Sequence, residues 1–346
     1  MPLLNHLNAQ EMTPEEINSL AAQISSRYLQ LRHTSDSTRQ ATSLNDQQTF
    51  LNRITPFTSL VMRYEDFELQ EKARSLIPVD SLHQEAHQRM KDTQSKDFSE
   101  CLIKSLMRWF KNDFFKWVDQ PVCSHCHRKT VAVGTAAASP EESRHDAHQV
   151  ELYRCQCGQV IRFPRYNDPF KLLDTRQGRC GEWANAFCAI CRSMGFEIRI
   201  VVDFTDHLWT EVYSDHQRRW IHCDSCEGEG AYDTPLLYET GWGKKLSYIV
   251  ATGIHDLVDV THRYTSNFAG LKPRRNLVSD EWIQTTLAQI TVRRRSQLSQ
   301  GMKKELESRD AEERNELNAT PSSSENLPAR QSGAPEWITS RGEGGK

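Results

Sequence analysis

Apolar residues recur at helical spacing over the first third of the chain and at strand spacing in its middle. Thr13-Pro14-Glu15-Glu16 is a capping box with proline at the first helical position. Ile17, Leu20, Ala21, Ile24, Tyr28 and Leu31 then follow at helical intervals, so a helix is expected within residues 1–40. Residues 41–119 read as helical, with breaks at Pro56 and Pro78. The last of these helices, from Asp97 to Val118, carries Phe98, Leu102, Leu106, Trp109 and Phe110 near one face. Residues 120–165 change to Cys/His-bearing segments flanked by β-branched and aromatic residues. Residues 166–275 alternate short helix and strand patterns. Strands are predicted at 197–203, 206–213 and 219–224. Residues 276–318 are helical and highly charged. Residues 319–346 are rich in Ser, Pro, Gly and Glu and read as a disordered tail.

Composition narrows the function classes. The chain has 346 residues, 37% of them apolar, with 43 basic against 46 acidic side chains. No excess of positive charge marks an electrostatic nucleic-acid binder. The first residues lack the basic region and apolar core of a secretory signal, and no stretch approaches the ~20 apolar residues of a membrane span. The expectation is a soluble, intracellular protein, in the cytoplasm and with the nucleus as a second compartment. There thiols stay reduced, so the ten cysteines read as ligands, nucleophiles or small core residues before disulfides.

Four of the cysteines form a metal-ligand pattern. Cys123-Ser-His-Cys126 and Cys155-Gln-Cys157-Gly158 can supply four thiolates from two turns to a tetrahedral zinc. Gly158 suits the tight knuckle. The second pair is C-x-C where C-x-x-C is usual, and His125, His127 or His148 can stand in for one thiolate. Four protein ligands would make the site structural, with no open position for catalysis. Cys188-Ala-Ile-Cys191 has the same form but lies in an apolar helical run, where small core residues are expected. Cys223-Asp-Ser-Cys226 lies at the end of a strand.

The catalytic signal is Thr175-Arg-Gln-Gly-Arg-Cys180-Gly-Glu-Trp-Ala-Asn-Ala-Phe187. Gly178 and Gly181 allow a sharp turn, and the apolar run after Cys180 is helical and stops at Gly195. Cys180 is therefore expected at a helix N-terminus, where the dipole favours a thiolate, with Arg179 adding to the field. A thiolate nucleophile needs an imidazole, and the imidazole needs an orienting acceptor. His207 opens the second predicted strand and Asp224 closes the third. The tight turn at 214–217 brings those two ends together. His222 is the rival base, on the same strand face as Asp224. His207 is preferred because it lies at a turn.

Gly178-Arg-Cys-Gly-Glu-Trp-Ala-Asn185, Asp206-His-Leu-Trp-Thr-Glu211 and Trp220-Ile-His-Cys-Asp-Ser-Cys-Glu227 resemble the cytoplasmic peptide:N-glycanases of the transglutaminase-like superfamily. So do Phe163-Pro-Arg-Tyr-Asn-Asp168, Lys244-Lys-Leu-Ser-Tyr248 and Asp259-Val-Thr-His-Arg-Tyr264. The resemblance covers about residues 100–270. It implies an α+β fold: a transglutaminase-like (papain-like) cysteine hydrolase core, an inserted zinc-binding hairpin subdomain and flanking helices. It also implies an amidase that cuts between the innermost N-acetylglucosamine and an asparagine side chain. Cys180 would be the nucleophile, His207 the acid/base and Asp224 the orienter. Cys123, Cys126, Cys155 and Cys157 would hold structural Zn2+. By position, Trp117, Trp209, Glu211, Trp220 and Glu227 are the candidate sugar contacts, whereas Trp183 reads as core. The implied partners are N-glycosylated, unfolded glycoproteins and, through the 13–31 helix, a ubiquitin receptor that shuttles to the proteasome. Competing readings are a transglutaminase or cysteine peptidase on the same triad, or an idle glycan-binding or scaffold protein. The two are separated by whether the Cys/His/Asp set turns over an amide.

Overall fold

The computed structural model describes residues 43–319 and 329–341, together with residues 13, 15, 19, 22, 23, 321 and 327. The 13–31 helix predicted above lies largely outside the described residues. The fold and its contacts are those among the described residues.

Four helices come first: α1 (Leu44–Arg63), α2 (Phe67–Leu76), α3 (Val79–Thr93) and α4 (Phe98–Trp109). Ser43, Asp66 and Asp97 cap three of them by accepting from backbone N–H groups three residues on. Pro56 does not break the first helix as predicted but sits inside it. Pro78 does mark a boundary, directly before α3. The predicted 97–118 helix is shorter than expected. At Phe110–Phe114 it widens into a π turn and then becomes the two-residue strand β1 (Lys116–Trp117). Such turns are rare and occur mostly as single turns within α-helices; here Lys111 lies inside the turn and Trp117 follows it in β1.

The inserted subdomain is a three-stranded antiparallel sheet in the order β2 (Thr130–Ala136), β3 (Val150–Cys155), β4 (Val160–Pro164). Helix α5 (Pro169–Thr175), β5 (Gln177–Gly178) and helix α6 (Cys180–Ser193) follow. Strand β5 pairs in parallel with β1 and sets Trp117 beside Gly178.

The central sheet has five antiparallel strands in the order β10-β9-β6-β7-β8. They are β6 (Ile198–Asp203), β7 (His207–Ser214), β8 (Arg219–Cys223), β9 (Ile249–Gly253) and β10 (Leu257–Asp259). Strand β6 is buried at every position because both sheet faces are covered. Ile198, Ile200, Val212 and Ile221 pack with α6 on one face. Val201, Trp209, Ile249 and Ala251 pack with Leu237 and Tyr238 on the other. Helices α7 (Asp280–Arg294) and α8 (Gln300–Asn318) complete the core.

The composition of 319–346 predicted a disordered tail. In the structure, Pro335–Arg341 form a helix, α9, and residues 330–337 lie against the core.

Candidate active site

Cys180 is the first residue of α6, as its sequence context predicts. Twelve of the residues in α6 are buried, so packing fixes the Cys180 end of the helix. Gly178 is required by crowding: a Cβ there would lie 2.4 Å from Glu182 Cβ. Glu182 needs that room because its Oε2 accepts from Arg179 N at 3.0 Å, closing the first turn of the helix.

Arg179 does not act as a neighbour to the thiol in the way the sequence suggested. Its guanidinium turns toward the inserted subdomain, donating to Glu151 Oε1 at 2.8 Å and Oε2 at 2.7 Å and to the carbonyls of Val118 and Asp119. Glu151 also pairs with Arg165, which itself clamps Glu182. The insert and α6 are thus joined by partly buried, charge-assisted hydrogen bonds.

The β7–β8 register pairs Thr210 with Cys223, which puts His207 and Asp224 at one end of the sheet. His207 Nε2 lies 2.7 Å from Asp224 Oδ2, and neither side chain is exposed. The other ring nitrogen, Nδ1, has no other hydrogen-bond partner. It is the nitrogen left to face the Cys180 thiol, which lies near enough to raise the ring's pKa. Burial pulls the His207 pKa down, but the Asp224 carboxylate and Cys180 outweigh it and hold the imidazolium to about 10. Burial likewise opposes ionisation of Asp224, yet His207 keeps its carboxyl low, at about 2.

His222, the rival base, is held elsewhere. Its Nε2 is 2.7 Å from Tyr238 Oη, and Tyr238 donates its single proton to Asp224 Oδ2 at 3.0 Å. His222 Nε2 must therefore be the protonated, donating nitrogen. Its Nδ1 is buried without a partner. Burial lowers its pKa to about 4, so the ring is neutral. Tyr238 is a member of the site that sequence reasoning missed, since no motif spacing places residue 238 beside residue 224.

The predicted sugar contacts divide. Trp117 is half-buried at the mouth of the site and donates from Nε1 to Asp119 Oδ1 at 2.7 Å. Glu227 lies just beyond Asp224, in the turn after β8. The structure buries the other three. Trp209 is buried, stacks on Tyr238 and donates to Tyr264 Oη. Glu211 is fully buried and paired with Arg263 and Tyr264. Trp220 is buried beneath the Arg199 guanidinium, 3.9 Å from its ring. Strand alternation turned these three inward, and helices cover that face. Trp183 is core, as expected.

The cysteine group of the insert is assembled. Cys123, Cys126, Cys155 and Cys157 have Sγ atoms all within 4.8 Å of one another. The closest approaches are 3.3 Å for Cys126–Cys155 and 3.6 Å for Cys123–Cys157. Four thiolates at ~2.3 Å from one ion require sulfur–sulfur separations of this order. Gly158 adopts φ +88° in the second knuckle and donates to Cys155 O at 3.0 Å. The group can hold a metal ion, and none of the three flanking histidines joins it. Cys188, Cys191, Cys223 and Cys226 are buried without forming a second such group among the described residues.

Comparison with known proteins agrees with this architecture. The model of the transglutaminase-like superfamily matches residues 129–225, and that of the Rad4 transglutaminase-like domain matches residues 204–318. A crystal structure of Rad4–Rad23 crosslinked to an undamaged DNA is similar in fold, with a TM-score of 0.50 and 14% identity over 85% of this chain and 64% of that chain. The peptide-N(4)-(N-acetyl-beta-glucosaminyl)asparagine amidase of Arabidopsis thaliana is 40% identical over 329 residues, or 92% of this chain and 45% of that protein. The enzyme of the same name from Yarrowia lipolytica is 42% identical over 291 residues, or 82% of this chain and 81% of that protein. The chain spans about half the length of the Arabidopsis, chicken and mouse relatives it matches. On these matches the chain belongs to the peptide-N(4)-(N-acetyl-beta-glucosaminyl)asparagine amidase family, within the transglutaminase-like superfamily.

Proposed function

We propose that this chain hydrolyses the bond between an N-glycan and its asparagine, with Cys180 as nucleophile, His207 as acid/base and Asp224 as orienter. The observation that carries the reading is the buried His207–Asp224 pair, with its Nδ1 left free and a cysteine at a helix N-terminus near enough to act on the ring. The thiolate attacks the side-chain amide carbon, and backbone N–H groups at the start of α6 bind the oxyanion. The His207 imidazolium protonates the departing glycosylamine. The neutral imidazole then takes a proton from water as that water attacks the thioester, leaving aspartate and a free thiol. Asp224 fixes the ring and stabilises its charged form. Sugar contacts fall to Trp117 and Glu227.

In this reading Zn2+ is bound by Cys123, Cys126, Cys155 and Cys157 and has a structural role. The substrates are unfolded N-glycoproteins, because a folded chain cannot present the asparagine–sugar bond to so enclosed a nucleophile. The compartment is the cytoplasm. The partner reading, a proteasome-shuttling ubiquitin receptor on residues 13–31, is supported by the helical sequence pattern alone.

The test is incubation of a denatured N-glycoprotein with the purified protein and with Cys180→Ala, reading peptide mass and released glycan. Release with asparagine converted to aspartate, lost in the variant, is the expected result. A folded, metal-loaded protein that releases nothing favours the idle glycan-binding reading.

A further inference from the structure

Residues 330–337 run across the mouth of the site, from one flanking tryptophan to the other. At one end the Arg330 guanidinium lies 4.4 Å from the ring of Trp242, which itself packs 5.2 Å from the His207 ring. At the other end Trp337 meets Trp117 edge-on at 5.6 Å, and the Arg179 guanidinium lies 5.2 Å from the Trp337 ring. Between them, Glu227 accepts two successive backbone N–H groups: Gln331 N on Oε2 at 2.6 Å and Ser332 N on Oε1 at 3.1 Å. Asp119 Oδ2 accepts Ala334 N at 3.0 Å. Lys111 Nζ donates to Gln331 Oε1 at 2.8 Å and to Cys226 O at 2.7 Å. Ser332 is 2% exposed.

These contacts are specific. Carboxylates taking main-chain N–H groups recognise an extended polypeptide whatever its side chains, and charge-assisted hydrogen bonds are the stronger kind. The segment is also shaped for its seat. Gly333 has φ +80°, and a Cβ there would lie 3.0 Å from the Trp337 ring. The site beneath is closed: Cys180 is 8% exposed and His207 and Asp224 are buried.

We propose that the groove of Lys111, Trp117, Asp119, Glu227 and Trp242 is a polypeptide-binding site, and that residues 330–337 fill it in cis and hold the enzyme closed. Substrate opens the site by displacing the segment from Glu227 and Trp117, the two residues assigned to the sugar. A bound segment therefore lowers apparent affinity by the fraction of time it is seated. The proposal rests on Cys180 being the reactive group, but its test reads thiol access and is independent of glycan release.

The experiment compares the full chain with full-length Trp337→Ala and Gly333→Ala, each metal-loaded. Iodoacetamide labelling of Cys180 is followed by peptide mass. The expected result is labelling at least tenfold faster in both variants, returned toward the wild-type rate by a synthetic peptide of residues 327–341. Cys188 and Cys191 stay unlabelled in folded protein, so their labelling identifies an unfolded variant. A measurement on the wild type stands apart from that risk: the Gln331 and Ser332 amides should exchange with deuterium far more slowly than in the free peptide. Equal labelling rates in folded proteins, or free-peptide exchange at Gln331 and Ser332, overturns the proposal. Faster labelling with no glycan release in any protein upholds the strap and overturns the glycanase reading.

Discussion

His207 Nε2 and Asp224 Oδ2 meet at 2.7 Å with both side chains fully buried. The pairing explains why the ring stays charged in an environment that opposes charge. Asp224→Asn keeps the shape and removes the countercharge, so the His207 pKa should fall well below about 10. Turnover should drop by about 10³–10⁴-fold, as when a triad acid is made neutral. Glycopeptide kinetics and imidazole NMR titration check both parts. An unchanged His207 titration would show that the carboxylate does not set it.

Tyr238 holds Asp224 from a second direction, at 3.0 Å, and satisfies His222 at 2.7 Å. Tyr238→Phe should leave His222 Nε2–H without an acceptor and cost about 1–3 kcal/mol of stability. It should also lower kcat about tenfold at constant KM, because the orienting carboxylate loses one tether. A fall in stability with no change in kcat would reduce Tyr238 to a packing role.

The two buried histidines predict opposite pH effects. The folded-state pKa of His207 is raised, so its contribution is fully present below the ordinary value of 6.5 and is lost as pH rises through about 10. That of His222 is depressed by burial, so its effect runs the other way. The unfolded chain takes up the proton first, and stability falls as pH drops from 6.5 to about 4. Denaturant midpoints should therefore decline across that acid window. His222→Gln, which keeps a donor for Tyr238, should flatten the decline. An identical acid limb in the variant would assign it to other groups.

One buried carboxylate of helix α8 joins two guanidiniums of the core. Glu313 Oε1 pairs with Arg199 at 2.7 Å and with Arg263 at 2.8 Å, and all three side chains are buried. Burial opposes the Glu313 charge, but the two guanidiniums hold its pKa to about 2. Glu313→Ala leaves Arg199 with Asp256 and Arg263 with Glu211, each short of one partner, and should cost about 1–3 kcal/mol. Chemical denaturation measures the loss, and hydrogen exchange should show residues 300–318 protected less than the central sheet. A loss under 1 kcal/mol would mean that the helix is held by its apolar contacts.

Removing the metal should act on the fold before the chemistry. The insert is a small sheet whose outer strand exposes Val131 and Val133, so it has little core of its own. It is nevertheless tied to Cys180 through Glu151 and Arg179. Chelation should lower Tm and loosen residues 120–165 first, with activity lost afterwards. Native mass spectrometry should count one zinc per chain, and Cys157→Ser should reduce that occupancy. A chelated protein with unchanged Tm would rule out the structural role.

Local chemistry alone determined much of this protein. The Cys180 helix start follows from an apolar helical run preceded by Gly178, the hairpin from strand patterns around a polar turn, and the cysteine knuckles from their spacing and Gly158. Each depends on residues near in sequence, whose backbone preferences act without the rest of the fold. Tertiary structure decided what depends on distant partners. Trp209, Glu211 and Trp220 read as surface contacts on a strand, but helices cover that face and bury them. Arg179 stands next to Cys180 in sequence, yet Glu151 draws its guanidinium away. Tyr238 joins Asp224 across a loop that carries no motif. Residues 330–337 have the composition of a free tail, and it is carboxylates and tryptophans far back in the chain that give them somewhere to bind. Such contacts form between residues that folding brings together, and neither periodicity nor spacing along the chain encodes them.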